Sequence, residues 1–288
     1  MKANPSLWGF LEKVRRLSNG FCYLWNRWAL SHTIGHPPIF IVGCGHSGTS
    51  LLLAILGVHP KIHAVSHESG VALGENERFF KKSLDQFDRR AIAAGKCRWV
   101  EKTPRHIFHI AKILRWRPGA KIILIIRDGR DVAWSIKQRT GNLEEGITRW
   151  CRDNQAGKAH WGNQDVYVLK YEDLITDFEA TLKGVLSFLG EEYYGEMKNY
   201  DQTPKKWYSR KIEKPQSPFG SNHEQYRNWQ INQPLFDGRA QWKRMTDEEL
   251  VLIHNIAGPM LAEFGYATSL AIPSPSACHS DFRGLHRG

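Results

Sequence analysis

The chain has 288 residues, 41% hydrophobic and 24% charged, and no apolar run approaches the ~20 residues of a bilayer span, which argues against an integral membrane protein. Forty Lys and Arg against 29 Asp and Glu give a formal net charge of +11, which favours acidic partners: nucleotides, sulfated or phosphorylated groups, nucleic acid or an anionic membrane surface. The five cysteines (Cys22, Cys44, Cys97, Cys151, Cys278) form no C-x-x-C pair and have no histidine at ligand spacing, so neither a zinc site nor a disulfide framework is expected.

A reducing compartment and a cytoplasmic location follow as expectations, since the opening residues also lack the charged and apolar regions of a secretory leader. One main domain is expected over 37–266, preceded by a segment 1–36 and followed by a disordered tail 267–288. Residues 1–36 alternate Trp8, Phe10, Leu11, Val14 and Trp25 with Lys13, Arg15, Arg16 and Arg27 at helical spacing, broken near Asn19-Gly20. Such a basic amphipathic helix either packs on the domain, the reading preferred here, or touches a membrane peripherally.

From Ile39 to Val42 the chain is apolar and β-rich; a loop with Gly43, Gly45 and Gly48 follows, and a helical pattern starts at Thr49. Strand, glycine loop and helix N-terminus together suit an anion. The loop nearly matches G-x-x-x-x-G-K-[ST], with Gly43, Gly48 and Ser50 in place, but Thr49 stands where the lysine belongs. Without that lysine a triphosphate loses its β/γ contact, which points to a nucleotide with fewer phosphates in line, held by backbone N–H groups and hydroxyls.

The helix runs through Leu56 and ends at Gly57-Val58-His59-Pro60, and the polar stretch His67-Glu68-Ser69-Gly70 follows. A helix is predicted over 75–94 and a short strand over 97–100, leading into the turn Glu101-Lys102-Thr103-Pro104 and a helix to about Trp116. Ala120 to Ile126 has the continuous apolar character of a central parallel strand; Arg127-Asp128-Gly129-Arg130-Asp131 leaves it, and a helix continues to about Arg139. Asn142 to Glu145 caps another helix, Val166 to Lys170 is a strand, Thr176 to Glu179 caps a helix through Leu189, and Thr246 to Glu249 caps one that Gly265 stops. Between these last two helices, the basic and aromatic residues 190–245 show little periodicity and are expected to form a functional covering loop.

This alternation predicts an α/β fold: a P-loop-like, open, mainly parallel sheet flanked by helices on both faces, with ligands beyond the carboxyl ends of the strands. The loop Gly43 to Ser50, the Lys102 turn and the Arg127 turn then converge. Arg127 leaves a buried strand, and Ser135 and Arg139 lie four apart on the next helix, so two guanidiniums and a hydroxyl can surround one phosphate.

The segments Gly-Cys-Gly-His-Ser-Gly-Thr-Ser, Glu-Lys-Thr-Pro, Ile-Ile-Arg-Asp-Gly-Arg-Asp-Val-Ala-Trp-Ser and Leu-Lys-Tyr-Glu-Asp-Leu resemble, in order and spacing, the signatures of sulfotransferases that use 3′-phosphoadenosine-5′-phosphosulfate. The likeness is greatest to the bacterial and tyrosylprotein sulfotransferase branch and spans roughly residues 38 to 190. It implies that Ser47, Gly48, Thr49 and Ser50 hold the 5′-phosphosulfate end and that Arg127 and Ser135 hold the 3′-phosphate; Gly45, His46 and Arg139 are further cofactor-binding candidates. The segment Gly238 to Lys243 resembles the family's nucleotide-closing loop and implies a 3′-phosphate contact by Arg239. No metal is implied. The family usually carries Arg or Lys where this chain has His46, and Lys102 is expected to supply the fixed charge. Glu68 is the expected base for the acceptor hydroxyl, His67 the alternative, and Tyr171-Glu172-Asp173 is taken as structural. The implied partner is an acceptor with a hydroxyl, of aromatic or anionic character, rather than nucleic acid. The competing readings are a nucleotide-dependent kinase and a basic nucleotide- or nucleic-acid-binding protein without catalysis.

Overall fold

In the computed structural model, residues 36–217 and 222–266 are described, so the amphipathic segment and the tail expected at the two ends lie outside the described residues. Five strands, β1 (Ile39–Gly43), β2 (Ile62–Ala64), β3 (Arg98–Lys102), β4 (Lys121–Ile126) and β5 (Val166–Lys170), form one sheet in the order β2-β3-β1-β4-β5, and every pairing is parallel. Parallel strands need crossovers, and the helices supply them: α1 (Thr49–Leu56), α2 (Glu77–Ala93), α3 (Ile110–Trp116), α4 (Gly129–Thr140) and α5 (Leu143–Lys158). After β5 come α6 (Tyr171–Thr176), α7 (Phe178–Leu189), α8 (Asn222–Gln230) and α9 (Asp247–Glu263).

The two-residue alternation of the strands separates the core into two layers. Phe40, Val42, Ile122, Leu124 and Ile126 face one side and pack with Phe80 and Phe87 of α2, Ile113 of α3, Ile136 of α4, Trp150 of α5 and Leu261 of α9. Ile39, Ile41, Ile123 and Ile125 face the other and pack with Leu52 and Ile55 of α1 and Leu182 and Leu186 of α7. A sheet covered on both faces explains why β1 and β4 read as continuous apolar runs. The predicted α/β architecture is the one observed.

Several details differ from the sequence reading. β3 extends two residues beyond Val100, because its backbone stays in register with β1 and pairs Ile41 with Lys102. Lys102 is therefore the last residue of a fully buried strand, not part of a turn. A 3-10 turn, Pro104–His109, precedes α3. Asp177 rather than Thr176 caps α7, its carboxylate accepting from the Ala180 N–H, because Thr176 still belongs to α6. Edge strand β2 and helix α8 are additions to the elements foreseen. The predicted capping box at Thr246 and Glu249 is present, and Asn142 accepts from the Glu145 N–H. No described helix is long and apolar enough to cross a membrane.

Candidate active site

Strand β1 lies at the centre of the sheet, with β3 on one side and β4 on the other, so the chain reverses its direction of winding beside it. That is where a doubly wound sheet opens a crevice. The register pairs Ile41 with Lys102 and Gly43 with Ile125, and this brings the carboxyl ends of β3, β1 and β4 side by side as expected.

The loop after β1 presents the N-terminus of α1. Gly48 stands at its N-cap with φ 95°, a conformation that costs an L side chain, and a Cβ there would lie 2.8 Å from Tyr171 Cδ2. No side chain caps the helix and its first turn holds no acidic residue, which leaves its positive end open to an anion. The Ser47 hydroxyl is fully buried and has no hydrogen-bond partner. A buried hydroxyl is rarely left so, and an oxyanion ligand would satisfy it. Thr49 is buried and Ser50 half-buried beside it.

His46 sits on the loop with φ 71°, its Nδ1 2.8 Å from the Ser135 hydroxyl of α4. Burial, reinforced by Arg139, Arg149, His223 and Arg127, pushes its imidazole down to about 3. His46 is thus neutral at physiological pH: it offers a hydrogen bond, not a charge.

Burial likewise lowers His59, His63, His109, His160 and His223. An imidazole depressed in the folded state contributes stability that is full above its ordinary value of 6.5 and is lost as pH falls, because the unfolded chain takes up the proton first. Burial raises the carboxyls of Asp88, Asp131 and Glu172 above their ordinary carboxylate range, which acts in the opposite sense but from a lower starting pH. The thermal midpoint is therefore expected to fall between pH 7 and pH 5.5. Calorimetry at four pH values checks this, and a rising profile would contradict it.

Lys102, buried at the end of β3, donates to Glu68 Oε1 at 2.5 Å and stands 5.2 Å from the centre of the Tyr208 ring. Arg227 of α8 donates to the same oxygen at 2.7 Å and lies over the same ring. Glu68 is held here by its neighbours. The buried Glu101 carboxylate accepts from the Ser69 N–H at 3.1 Å, the Ser69 hydroxyl at 2.8 Å and the Thr103 hydroxyl at 2.5 Å, while Thr103 accepts from the Gly70 N–H. His67 turns away, edge-on to Phe87 of α2.

Arg127 does not stand open toward one phosphate with Ser135 and Arg139. Its guanidinium donates to the His46 carbonyl at 3.0 Å and to the Gly238 carbonyl, stacks 4.4 Å from the Tyr171 ring centre, and keeps a buried Nε without a partner. Ser135 pairs with His46, and Arg139 with His223 Nε2 at 3.0 Å. Arg239 is half-buried, engaged by Asp237 and by the Thr176 hydroxyl. The segment around Gly238 closes onto the site through other groups. Asp131 accepts from the Ala240 and Trp242 N–H groups, and the Tyr171 hydroxyl donates to the Phe236 carbonyl. Glu172 accepts from the Asp128 N–H at 2.8 Å and from the Tyr266 hydroxyl at 3.1 Å, a structural clamp. Four residues of the site went unnoticed in the sequence: Arg149, Tyr208, His223 and Arg227. The basic, aromatic composition of 190–245 signalled the last three collectively, but nothing singled out Arg149.

These features define an α/β protein with a glycine loop suited to an anion at its topological switch point. The family model described as "Sulfotransferase family" matches residues 64–195, which include Glu68, Lys102, Arg127 and Ser135. An uncharacterized protein of Aquifex aeolicus (strain VF5) is 26% identical over 196 residues, 54% of this chain and 26% of that protein. The protein-tyrosine sulfotransferase A of Caenorhabditis elegans is 24% identical over 265 residues, covering 80% of this chain and 67% of its own length. Among solved structures, the sulfotransferase domain from the curacin biosynthetic pathway superimposes with a TM-score of 0.52 at 15% identity, over 81% of this chain and 98% of that one. The chain spans about a quarter of the Aquifex protein and about two thirds of the nematode one. Over residues 64–195 the chain is similar to the sulfotransferase family, and the nematode protein-tyrosine sulfotransferase extends that likeness over most of its length.

Proposed function

We propose that this protein transfers a sulfuryl group from 3′-phosphoadenosine-5′-phosphosulfate to an acceptor hydroxyl. The observation that carries the reading is the pairing of Glu68 with buried Lys102 at the end of β3, next to the strand that delivers the uncapped N-terminus of α1 and the unpartnered Ser47 hydroxyl.

The loop fits the donor. Ser47, Thr49 and Ser50 offer hydroxyls and the first turn of α1 offers backbone N–H groups, a set suited to a phosphosulfate without the triphosphate lysine. The donor supplies an electrophilic sulfuryl group on a phosphate leaving group. Glu68 is positioned to take the proton of the acceptor hydroxyl. Lys102, held in place by Glu68 and the Tyr208 ring, keeps a positive charge where negative charge develops on oxygens during transfer. Neutral His46 contributes a hydrogen bond and, through Ser135, ties the loop to α4. The resemblance assigns the 3′-phosphate to Arg127 and Ser135, with Arg139 beside them; Arg239 would have to leave Asp237 to join them. Tyr208, with Lys102 and Arg227 over its ring, suits an acceptor that is aromatic, anionic or both.

Calorimetric titration with adenosine 3′,5′-bisphosphate and, separately, with ATP and Mg²⁺ tests this. Binding of the bisphosphate is expected; tight binding of ATP with Mg²⁺ and none of the bisphosphate would make the protein a kinase-like nucleotide enzyme instead.

A further inference from the structure

With His46 neutral and no Lys or Arg between Gly43 and Ser50, the loop carries no fixed cation of its own. The structure brings one to the same place from another element. Arg149 projects from α5 onto the loop at Gly45: a Cβ on Gly45 would lie 2.7 Å from Arg149 Nη2 and 3.3 Å from Cζ. Gly45 is not among the residues with positive φ, so its backbone does not require glycine. What the missing side chain provides is room for the guanidinium.

The rest of Arg149 is fixed from behind. Its Nε donates to the buried Asp153 carboxylate at 3.4 Å, and Asp153 also accepts from Arg152 at 2.9 Å, so one carboxylate faces two guanidiniums. Both terminal nitrogens of Arg149 remain for the loop. Around them stand two more guanidiniums, Arg139 with its buried, unpartnered Nε and its bond to His223, and Arg227 beyond; Glu145 is the acidic group on the Arg139 side, and Glu68 pairs with Arg227. Burial and the repulsion from Arg149 and Arg227 lower even the Arg139 guanidinium. Like charges gathered at the mouth of a glycine loop are stabilised by an anion that reaches both.

We propose that Arg149 is a donor-binding residue, reaching across Gly45 to give phosphate or phosphosulfate oxygens of the nucleotide the fixed positive charge that position 46 does not supply. This rests on the donor assignment above, and the test separates the two.

Affinity of the full chain for adenosine 3′,5′-bisphosphate is measured calorimetrically, with thermal midpoints recorded alongside. Arg149→Ala is expected to weaken binding roughly ten- to hundredfold, the worth of one charge-assisted hydrogen bond or two. Gly45→Ala places its methyl against the flexible end of Arg149, so it should weaken binding while barely moving the midpoint. The double variant should bind no worse than Arg149→Ala alone, since both changes remove the same contact. His46→Arg in the Arg149→Ala background should recover most of the loss, which a purely structural role for Arg149 does not predict. Wild-type affinity in Arg149→Ala, or losses from Gly45→Ala and Arg149→Ala that add, would overturn the Arg149 assignment alone. A wild-type chain that ignores the bisphosphate would overturn the donor assignment and this one together.

Discussion

Replacing Glu68 with Gln is expected to lower the rate of sulfuryl transfer by roughly a hundred- to ten-thousandfold, the range spanned by loss of a positioned general base. Bisphosphate affinity should stay within about threefold, because the amide keeps an oxygen for Lys102 and Arg227 and leaves the charges near the loop in place. The separation matters. A loss of turnover without loss of donor affinity is what a base produces, whereas a residue that only maintains the site would weaken both. Single-turnover transfer and bisphosphate titration on the same preparation decide it, and near-normal turnover in Glu68→Gln would remove Glu68 from the role. His67→Ala is the internal comparison: its ring packs on Phe87, so turnover should change little.

Arg127→Ala should have the second large effect, on binding. Its guanidinium ties the His46 carbonyl of the glycine loop to the Gly238 carbonyl of the closing segment, with Tyr171 stacked beneath. Removing it strands two backbone acceptors and frees two loops that must sit together for the nucleotide. Bisphosphate affinity is expected to fall about a hundredfold or more, with a thermal midpoint several degrees lower. Arg127→Lys keeps the charge but not the fork, and should fall between the two. An Arg127→Ala chain that folds and binds the bisphosphate like wild type would contradict the placement of Arg127.

The parts of this architecture legible in the sequence are those set by local pattern. The apolar runs that became β1 and β4 are buried on both faces, Gly43 and Gly48 mark a loop whose backbone needs them, and Thr246 and Glu249 satisfy each other within one turn. Lys102 escaped that reading for a physical reason. Glu101 and Lys102 look like a polar turn because what makes them tolerable inside a strand, Ser69 and Thr103 for one and Glu68 for the other, is distant in sequence or hidden by the fold. Edge strand β2 is three residues long, too short for a period to show, and α8 carries a single buried residue, Asn228. The pairing of Gly45 with Arg149 joins residues more than a hundred positions apart, and neither position signals the other.

The site residues follow the same division. Arg127 and Ser135 were recognisable from a strand end and a helix spacing, yet their actual partners, two backbone carbonyls and His46, depend on how the loops meet. Arg227 reaches Glu68 across 159 positions, from a helix with little apolar pattern. The identity of an ion pair is a property of packing, so composition could indicate a basic cover over the cleft without naming its members.

The central claim is sulfuryl transfer at the crevice beside β1, and its most direct test is incubation of the protein with 3′-phosphoadenosine-5′-phosphosulfate carrying labelled sulfate and a panel of phenols, glycans, lipids and tyrosyl peptides. Label appearing in a hydroxyl acceptor, with adenosine 3′,5′-bisphosphate released in equal amount and transfer abolished in Glu68→Gln, is the predicted result. Binding of the bisphosphate without transfer to any member of the panel, or transfer that Glu68→Gln leaves intact, would contradict the account.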